Sequence, residues 1–303
     1  MTTAAGRPRR ALVTGAGGFT GRYLVQELEA HGWEVWGLGH GPVASDERTL
    51  QADLLEPAAL QAALEQVQPE AVFHLAAIAF VGHGSPADFY QVNLIGTRNL
   101  LAALAALPQP PASVLLASSA NVYGNAAEGM LDESTPFNPA NDYAVSKAAM
   151  EMMARLWGER LPLVVVRPFN YTGAGQSLDF LVPKIVDHFR RRAPLIELGN
   201  LQVWRDFSDV RDVVRAYRLL ADACPAGQTV NICSGRSHSL MEVLDLARQF
   251  SGHDLQVRVN PAFVRANEVR TLYGDASRLS GLVGGWSPRP FADTLAWMLD
   301  ARA

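Results

Sequence analysis

Cysteine is nearly absent from this sequence, in which Cys224 and Cys233 are the only two among 303 residues. Two thiols in a chain of this length exclude a disulfide framework and a cysteine-rich zinc cluster. They favour a reducing compartment, and we predict no metal centre.

Long apolar runs and a large excess of one charge are missing as well. The longest apolar run, which starts at Ala71, contains a histidine and is too short to cross a bilayer. The first residues lack the apolar core of a signal peptide, so we expect a cytoplasmic protein without a membrane anchor. The chain has 26 basic and 30 acidic residues and a net charge of −4. No basic field therefore invites nucleic acid, and we expect no such partner.

The first half of the chain alternates short β-rich runs with longer helical patterns. The predicted strands are "RALVTG", "EVWGL", "AVFHLAA", "SVLLASS" and "LPLVVVRP". The predicted helices are "TGRYLVQELEAHG", "EPAALQAALEQV", "PADFYQVNLIGTRNLLAALAAL" and "DYAVSKAAMEMMARLWGER". Continuous apolar strands are typical of a parallel sheet that is covered on both faces. Repeated β-α-β units with right-handed crossovers predict an α/β fold with a doubly wound parallel sheet.

The texture changes after Pro168, where prolines and short elements become frequent. We predict a nucleotide-binding domain over 1–167 and a smaller substrate-binding lobe over 168–303. Helical patterns near Val210–Ala223 and Leu240–Ser251 flank the strand "TVNICSG". That strand is expected to extend the main sheet, so segments near 201–235 return to the first domain.

A glycine-rich turn joins the first predicted strand to the first predicted helix. In "TGAGGFTG", Gly15, Gly18 and Gly21 are spaced three residues apart. Such a turn lets the backbone approach a pyrophosphate, which then faces the positive end of the helix. The position after a first strand and before a helix indicates nucleotide binding.

The end of the second strand is where a carboxylate would favour NAD over NADP. "VWGLGHGP" offers none before Asp46; His40 is the nearest polar residue and Arg48 is close. The pattern leaves NADP(H) and NAD(H) both open and favours NADP(H), because no carboxylate repels a 2′-phosphate. Asp53, after the third strand, is interpreted as an adenine contact or as a helix cap.

"NDYAVSKAAM" sets Tyr143 and Lys147 four residues apart, on one face of a predicted helix. With "TGAGGFTG", "HLAA", "NLIGTRNLL" and "SSANVYG" in this order and spacing, the chain resembles the extended short-chain dehydrogenases/reductases that act on nucleotide sugars. The resemblance covers nearly the whole chain. It implies a catalytic set of Ser119, Tyr143 and Lys147.

That set has a chemical rationale. A free tyrosine has a pKa of about 10, and a neighbouring ammonium together with an oxidised nicotinamide lowers that pKa. Tyr143 can then give a proton to a ketone oxygen while hydride reaches the carbon. The resemblance also implies which residues contact the cofactor: Gly15, Gly18, Phe19, Thr20, Gly21, His40, Asp53, Leu54, Leu75, Ala76, Ala77, Asn93 and Lys147.

One position separates the reactions of this family. The 4,6-dehydratases carry a glutamate two residues after the serine or threonine of the catalytic set, where a carboxylate acts as a base. Here Ser119 is followed by Ala120 and Asn121, and an amide lacks useful basicity. Glu128 and Glu133 lie further on. The sequence therefore disfavours dehydration.

The second half is similar to the GDP-mannose branch through "RPFNYTGAGQ", "LGNLQVWRDFSDVRDVVRAY", "VNICSG" and "VRANEVRTLYGDASRL". Within it the likeness is greatest to GDP-4-keto-6-deoxy-D-mannose reductases, which form GDP-D-rhamnose. The resemblance implies a GDP-linked sugar substrate and a set of contacts to it: Asn121, Asn170, Lys184, Arg205, Arg265 and Glu268. A guanidinium such as that of Arg205 suits paired phosphate oxygens, although Asp206 or Asp209 could instead pair with Arg205 or Arg211.

Alternatives remain at this point. "SSANVYG" is close to the corresponding motif of 4-epimerases, and a dehydratase is not excluded. A non-catalytic sensor of nucleotide sugars is a third hypothesis, against which the intact Ser119, Tyr143 and Lys147 argue. The helices over 88–107 and 143–160 resemble the pairs that form a dimer interface in this family, so we expect a homodimer.

Overall fold

The computed structural model describes residues 6, 8–39, 48–79, 85–124, 129–264 and 269–301. The strands of this part are β1 (Arg9–Thr14), β2 (Trp33–Gly39), β3 (Thr49–Gln51), β4 (Ala71–His74), β5 (Ser113–Ala117), β6 (Gly129–Leu131), β7 (Leu163–Pro168), β8 (Asn170–Thr172), β9 (Leu195–Leu198), β10 (Trp204–Asp209), β11 (Thr229–Ile232), β12 (Ser237–Ser239), β13 (Gln256–Val259) and β14 (Thr271–Gly274). The helices are α1 (Phe19–Ala30), α2 (Pro57–Val67), α3 (Pro86–Tyr90), α4 (Thr97–Ala106), α5 (Asp142–Ala154), α6 (Leu181–Arg190), α7 (Val210–Ala223), α8 (Leu240–Ser251), α9 (Ser277–Val283) and α10 (Phe291–Asp300).

The main sheet has seven strands in the order β11-β7-β5-β4-β1-β2-β3. Every neighbouring pair in it is parallel. Strand order reverses between β1 and β4, where Thr14 pairs with His74. Parallel sheets of this kind form a ligand crevice at such a reversal, beyond the carboxyl ends of the strands. The predicted doubly wound α/β fold is confirmed.

Helices cover both faces of this sheet. On one face Leu24 and Leu28 of α1 pack with Leu220 of α7. On the other, Leu64 of α2 packs with Leu100 of α4. All five side chains have a relative accessibility of 0%, and each contributes about 1.5–3 kcal/mol by leaving water. The two layers enclose the sheet between them.

The long helix predicted over 86–107 is helical over nearly this whole range, but it is not a continuous α-helix. A π-helical segment, Gln91–Gly96, separates α3 from α4. A π turn inserts an extra residue and re-aims the side chains that follow, and such segments are common at functional sites. The helix predicted over 142–160 likewise ends as α5 and continues as a 3-10 turn, Arg155–Trp157.

The smaller lobe contains a second sheet, ordered β12-β10-β14-β6, with β8 paired to β10, and a two-stranded sheet of β13 and β9. Helices α6, α8 and α10 share a separate apolar core that includes Val182, Leu244 and Leu295. β6 comes from the first half of the chain, whereas β11 from the second half joins the main sheet beside β7. The expectation that "TVNICSG" extends the main sheet is confirmed, and the domain limit at 167/168 stays a prediction.

Within the described ranges, none of the helices has the length and apolar character needed to cross a bilayer. The same residues contain no group of three or more His, Cys, Asp or Glu side chains arranged to hold a metal ion.

Candidate active site

The loop between β1 and α1 requires glycine at two positions for different reasons. Gly15 has a φ of +72°, a conformation that other residues rarely adopt. A Cβ on Gly21 would lie 2.2 Å from the backbone oxygen of Gly15, so a side chain there would force the loop apart. A Cβ on Gly17, by contrast, would meet no atom within 4 Å.

The amino end of α1 fits a phosphate group. Gly18 is the N-cap, no described side chain caps the helix, and its first turn carries no acidic residue. Backbone N–H groups and the helix dipole therefore remain available to an anion. The segment after β4 lies alongside, because the Ala76 N–H donates to Thr14 Oγ1 at 3.1 Å. The structure thus brings the glycine loop and the Leu75–Ala77 segment together at the reversal of strand order.

The other predicted cofactor residues lie on several elements. Thr20 Oγ1 lies 2.8 Å from the hydroxyl of Tyr171, and the ring of Phe19 stacks on Tyr171 with centroids 6.3 Å apart. Leu54 is buried. Asp53 is exposed beyond β3 and accepts a hydrogen bond from the Leu55 N–H at 2.8 Å, so it forms a turn rather than the N-cap of α2. His40 lies outside the described residues.

Asn93 belongs to the π-helical segment, and its amide is bound by the protein itself. The oxygen accepts from the Ile78 N–H at 2.9 Å, and the nitrogen donates to the Ile78 carbonyl at 3.2 Å. The same nitrogen donates to Ser146 Oγ at 3.0 Å. Asn93 therefore ties the segment after β4 to α5, a positioning role that its sequence motif alone did not reveal.

Ser119, Tyr143 and Lys147 come together at the carboxyl end of β5. Ser119 Oγ accepts from the Asn121 N–H at 3.1 Å and is hydrogen-bonded to the Tyr143 phenol. Lys147 Nζ donates to the Ala117 carbonyl at 2.8 Å. All three predicted catalytic side chains are buried. Their proton positions are therefore set by neighbours more than by bulk water.

Burial controls the titration of this group. It raises the pKa of Tyr143 to about 12, and the Ser119 hydrogen bond opposes that rise. Burial also lowers the pKa of Lys147 to about 8, against the attraction of Glu151. The sequence predicted a lowered Tyr143 pKa, on the assumption that both Lys147 and an oxidised nicotinamide contribute positive charge. The residues of the protein alone raise this pKa instead. Tyr143 is therefore held as a protonated donor at neutral pH.

The position that carries glutamate in 4,6-dehydratases holds an exposed residue here, Asn121. Glu133 is engaged elsewhere, because its carboxylate accepts from the Asn231 N–H at 2.8 Å and lies 3.3 Å from Arg278 Nε. Glu128 lies outside the described residues.

The predicted substrate residues lie on neighbouring elements of the smaller lobe. β8 and β10 are paired, so Asn170 lies opposite Phe207, and Asn170 Nδ2 donates to the Asp206 carbonyl at 3.3 Å. Arg205 on β10 donates to the carbonyls of Trp204 and Arg270 at 2.8 and 3.1 Å.

Lys184 on α6 belongs to the same lobe. Its Nζ donates to the Glu197 carbonyl at 3.0 Å and lies 4.6 Å from the ring centroid of Phe263. Arg265 and Glu268 lie outside the described residues. The suggested pairing of Asp209 with Arg211 is observed, at 2.6 Å.

A cavity of about 510 Å³ opens in this lobe. Its lining includes none of the three predicted catalytic residues and consists of Gly199, Asn200, Leu201, Gln202, Val203, Val259, Val264 and Arg270. Apolar walls with a few polar groups are typical of sites for small organic ligands.

Sequence reasoning missed a buried ion pair behind the catalytic residues. Glu151 on α5 and Arg167 on β7 are 2% and 3% exposed, and Arg167 Nη2 lies 2.7 Å from Glu151 Oε2. The available signal was the spacing, since Glu151 follows Lys147 by one helical turn on the buried face. Its partner on β7 could be identified only in three dimensions.

Comparison with known proteins agrees with this geometry. Residues 11–233 match the NAD dependent epimerase/dehydratase family. The chain belongs to this family. Its match spans the glycine loop, the residues of the catalytic set and β11 of the main sheet.

Two members of the epimerase/dehydratase family are similar along most of their length. GDP-6-deoxy-D-talose 4-dehydrogenase of Aggregatibacter actinomycetemcomitans is 37% identical over 276 residues, 91% of each chain. GDP-6-deoxy-D-mannose reductase of Pseudomonas aeruginosa is 36% identical over 292 residues, 92% of each chain. Both names describe oxidoreductases, and the prediction of an oxidoreductase is confirmed.

Solved structures of family members have the same architecture. RMD from Pseudomonas aeruginosa, complexed with NADPH, superposes with a TM-score of 0.85 at 34% identity over 96% of each chain. A provisionally named epimerase from Burkholderia cenocepacia J2315 superposes with a TM-score of 0.92 at 51% identity, covering 97% of this chain and 98% of the other.

Proposed function

We propose that this protein reduces the 4-keto group of GDP-4-keto-6-deoxy-D-mannose to give a GDP-linked 6-deoxyhexose, GDP-D-rhamnose above all. The observation that carries the proposal is the buried phenol of Tyr143, kept protonated and hydrogen-bonded to Ser119. The names of the two GDP-sugar relatives support the substrate class.

The cofactor is NADPH or NADH, with NADPH favoured. A reduced nicotinamide, when bound, supplies the hydride. The glycine loop with the uncapped end of α1 would hold its phosphates, beside the Leu75–Ala77 segment. The second strand ends at Gly39 without a carboxylate in "VWGLG", and the NADPH of the Pseudomonas structure agrees with that preference.

The protein's residues then manage one proton. As hydride reaches the carbonyl carbon, the oxygen gains negative charge and takes the proton of the Tyr143 hydroxyl. The ketone becomes an alcohol and Tyr143 is left as a phenolate. The Ser119 hydrogen bond lowers the energy of that phenolate, and Lys147 supplies positive charge one helical turn away. Solvent returns the proton before the next cycle.

Two other reactions are separated by specific observations. Asn121 stands where dehydration needs a carboxylate, and Glu133 is bound to Asn231 and Arg278. The second candidate is 4-epimerisation, which is supported by similarity to a Burkholderia protein named as an epimerase. An epimerase regenerates a retained cofactor, whereas a reductase consumes one equivalent per turnover.

The test combines purified protein, freshly made GDP-4-keto-6-deoxymannose and either NADPH or NADH, and follows nicotinamide absorbance with product analysis. The expected result is stoichiometric cofactor oxidation and a GDP-6-deoxyhexose. Turnover of GDP-mannose alone, without oxidation, would replace the reductase by a dehydratase. Interconversion of UDP-hexoses without added cofactor would select an epimerase. Binding of the sugar nucleotide without turnover would select a sensor.

The protein is further proposed to act as a cytoplasmic homodimer. Both cysteines are free, which suits a reducing compartment. The outer face of α5 and its 3-10 extension carries Val145, Met152 and Leu156, which are 37%, 56% and 81% exposed. Ile95 of the adjoining π segment is also exposed. Such an apolar stripe favours burial against a second copy. Sedimentation equilibrium should give twice 32.8 kDa; a monomer mass would contradict this.

A further inference from the structure

The catalytic face of α5 continues beyond Lys147. Tyr143, Lys147 and Glu151 follow one another at intervals of one turn, and all three are buried. Side chains at this spacing share one helix face. The stripe therefore carries a phenol, an ammonium and a carboxylate in a row, and the proton transfer proposed above uses only the first two.

The Glu151 carboxylate is fully engaged by two other elements. Ser118, directly after β5, donates its hydroxyl to Glu151 Oε1 at 2.5 Å. Arg167 on β7 donates Nε to Oε1 at 3.0 Å and Nη2 to Oε2 at 2.7 Å. The Ser118 N–H also donates to the Val166 carbonyl at 2.8 Å. Two bonds thus hold Ser118, the residue that precedes Ser119, and two bonds from Arg167 hold the carboxylate to which Ser118 donates.

Lys147 holds the preceding residue of the same segment. Its Nζ donates to the carbonyl of Ala117, the last residue of β5. Successive turns of α5 therefore bind successive residues of this segment: Lys147 binds Ala117, and Glu151 binds Ser118. The hydroxyl of Ser119 leaves this segment toward Tyr143. A displacement of about 1 Å at such a segment costs up to about 100-fold in rate.

We propose that Glu151 is a positioning residue of this site: held by Arg167, its carboxylate fixes the strand end that presents Ser119 and places a negative charge one helical turn from the Lys147 ammonium. This inference rests on the proposed reductase function for its kinetic consequences. Its electrostatic consequence is independent of the reaction.

The charges around Lys147 come from several elements. Burial lowers the pKa of Lys147 to about 8, and Glu151 raises it against that effect. His74 on β4 faces Lys147 too, but burial lowers the His74 pKa to about 3, so it is neutral. Arg167 is the counter-ion of Glu151, and the Tyr123 phenol beside it stays protonated because burial raises its pKa to about 12. Glu151 is thus the negative charge that supports Lys147.

A lysine titration tests this directly. The chain contains only two lysines, Lys147 and Lys184, so protein labelled with isotopic lysine gives two side-chain signals, and Lys184→Arg assigns them. In Glu151→Gln the midpoint of Lys147 should fall by about one pH unit, because the carboxylate charge is lost while the shape is kept. An unchanged midpoint in the folded variant would overturn the electrostatic role.

Removing one member of a buried pair can prevent folding. The variant Glu151→Gln/Arg167→Met removes both charges, and a smaller fall of the Lys147 midpoint is expected. The matched control is Glu133→Gln, another buried carboxylate at the strand ends, which should lose stability without moving the Lys147 midpoint. A shift in the control as large as in the Glu151 variants would overturn the proposal.

The positioning role is tested by Ser118→Ala, which leaves the ion pair intact. With GDP-4-keto-6-deoxymannose and NADPH, kcat should fall about tenfold while KM stays within about twofold. The reason is that Ser119 is misplaced in the variant, whereas the residues that bind the substrate are unchanged. An unchanged kcat would overturn the positioning role. If the wild type does not reduce this substrate, the proposed function fails, and the lysine titration still decides the role of Glu151.

Discussion

The glycine loop of the main sheet and the cationic residues of the smaller lobe prepare for their ligands in opposite ways. The loop leaves the N–H groups of α1 without a side-chain cap. Arg205 and Lys184 instead donate to backbone carbonyls at 2.8–3.1 Å. With the proposed roles, the cofactor-binding loop is preformed, whereas the substrate-binding side chains must exchange partners.

That exchange favours one class of ligand. The present bonds join a charged donor to a neutral carbonyl oxygen, whereas a phosphate oxygen would add the opposite charge and could accept two parallel bonds from a guanidinium. A diphosphate is therefore the class of ligand that we expect to displace the carbonyls. The comparison predicts that backbone changes damage cofactor binding and that side-chain changes in the lobe damage substrate binding alone.

The largest effect is expected from Tyr143→Phe, which removes the proton donor and leaves both binding regions unchanged. We expect kcat to fall by about 10²–10⁴-fold, with cofactor affinity within about twofold. Stopped-flow absorbance and fluorescence titration measure the two quantities. Wild-type turnover in this variant would refute the proton transfer from Tyr143.

Gly21→Ala should break the preformed side. Its Cβ would lie 2.2 Å from the Gly15 oxygen, so the loop must open at a cost of about 3 kcal/mol or more. Thermal unfolding and NADPH titration should both show the damage. Gly17→Ala, which meets open space, is the control for stability. Equal losses of stability in the two variants would contradict a loop limited by close approach.

Arg205→Ala should weaken substrate binding and leave cofactor binding unchanged. We expect KM for the GDP sugar to rise about 10–100-fold, since one charge-assisted contact to phosphate is lost. NADPH affinity should not change. A parallel loss of NADPH affinity would show that the two sides are not separate.

The smallest expected effect is a change of stability, which Lys147→Met tests apart from its loss of activity. The unfolded chain binds a proton on this lysine up to a pKa of about 10.4, whereas the folded pKa is about 8. The buried Lys147 ammonium therefore lowers the free energy of unfolding in full below pH 8. This loss becomes smaller as the pH rises from about 8 to about 10.4. After allowing for the lost bond to Ala117, the variant should be more stable by about 1–2 kcal/mol at pH 7. Denaturant unfolding at pH 7 and pH 10 would detect it; equal differences at both values would contradict the pKa.

The sequence predicted best those helices that begin directly after a residue able to cap them. α7 and α8 begin after Asp209 and Ser239, whose side chains cap them. Both helices have the bounds predicted from their apolar periodicity. The glycine loop was found in the same way, because its spacing records a backbone requirement.

Features that depend on distant partners could not be predicted. The π segment is held by the bonds of Asn93 to Ile78 and Ser146, which lie elsewhere in the chain. The raised pKa of Tyr143 depends on its burial, which no motif encodes. Arg167 follows Glu151 in sequence without any pattern that pairs them. The roles predicted for the site residues stay predictions, and His40, Arg265 and Glu268 lie outside the described residues.

The two faces of α5 have a consequence for engineering. Tyr143, Lys147 and Glu151 occupy its inner face, and Val145 and Met152 lie on the outer face. A helix with its side chains is only about 10–12 Å across. The predicted catalytic residues and the exposed apolar residues are therefore carried by the same short helix. For the proposed homodimer, we expect substitutions on the outer face to shift the Tyr143 phenol as well, and substitutions on the inner face to disturb the proposed interface. A saturation library over this helix should therefore return few neutral variants, and changes of specificity are better sought in the smaller lobe.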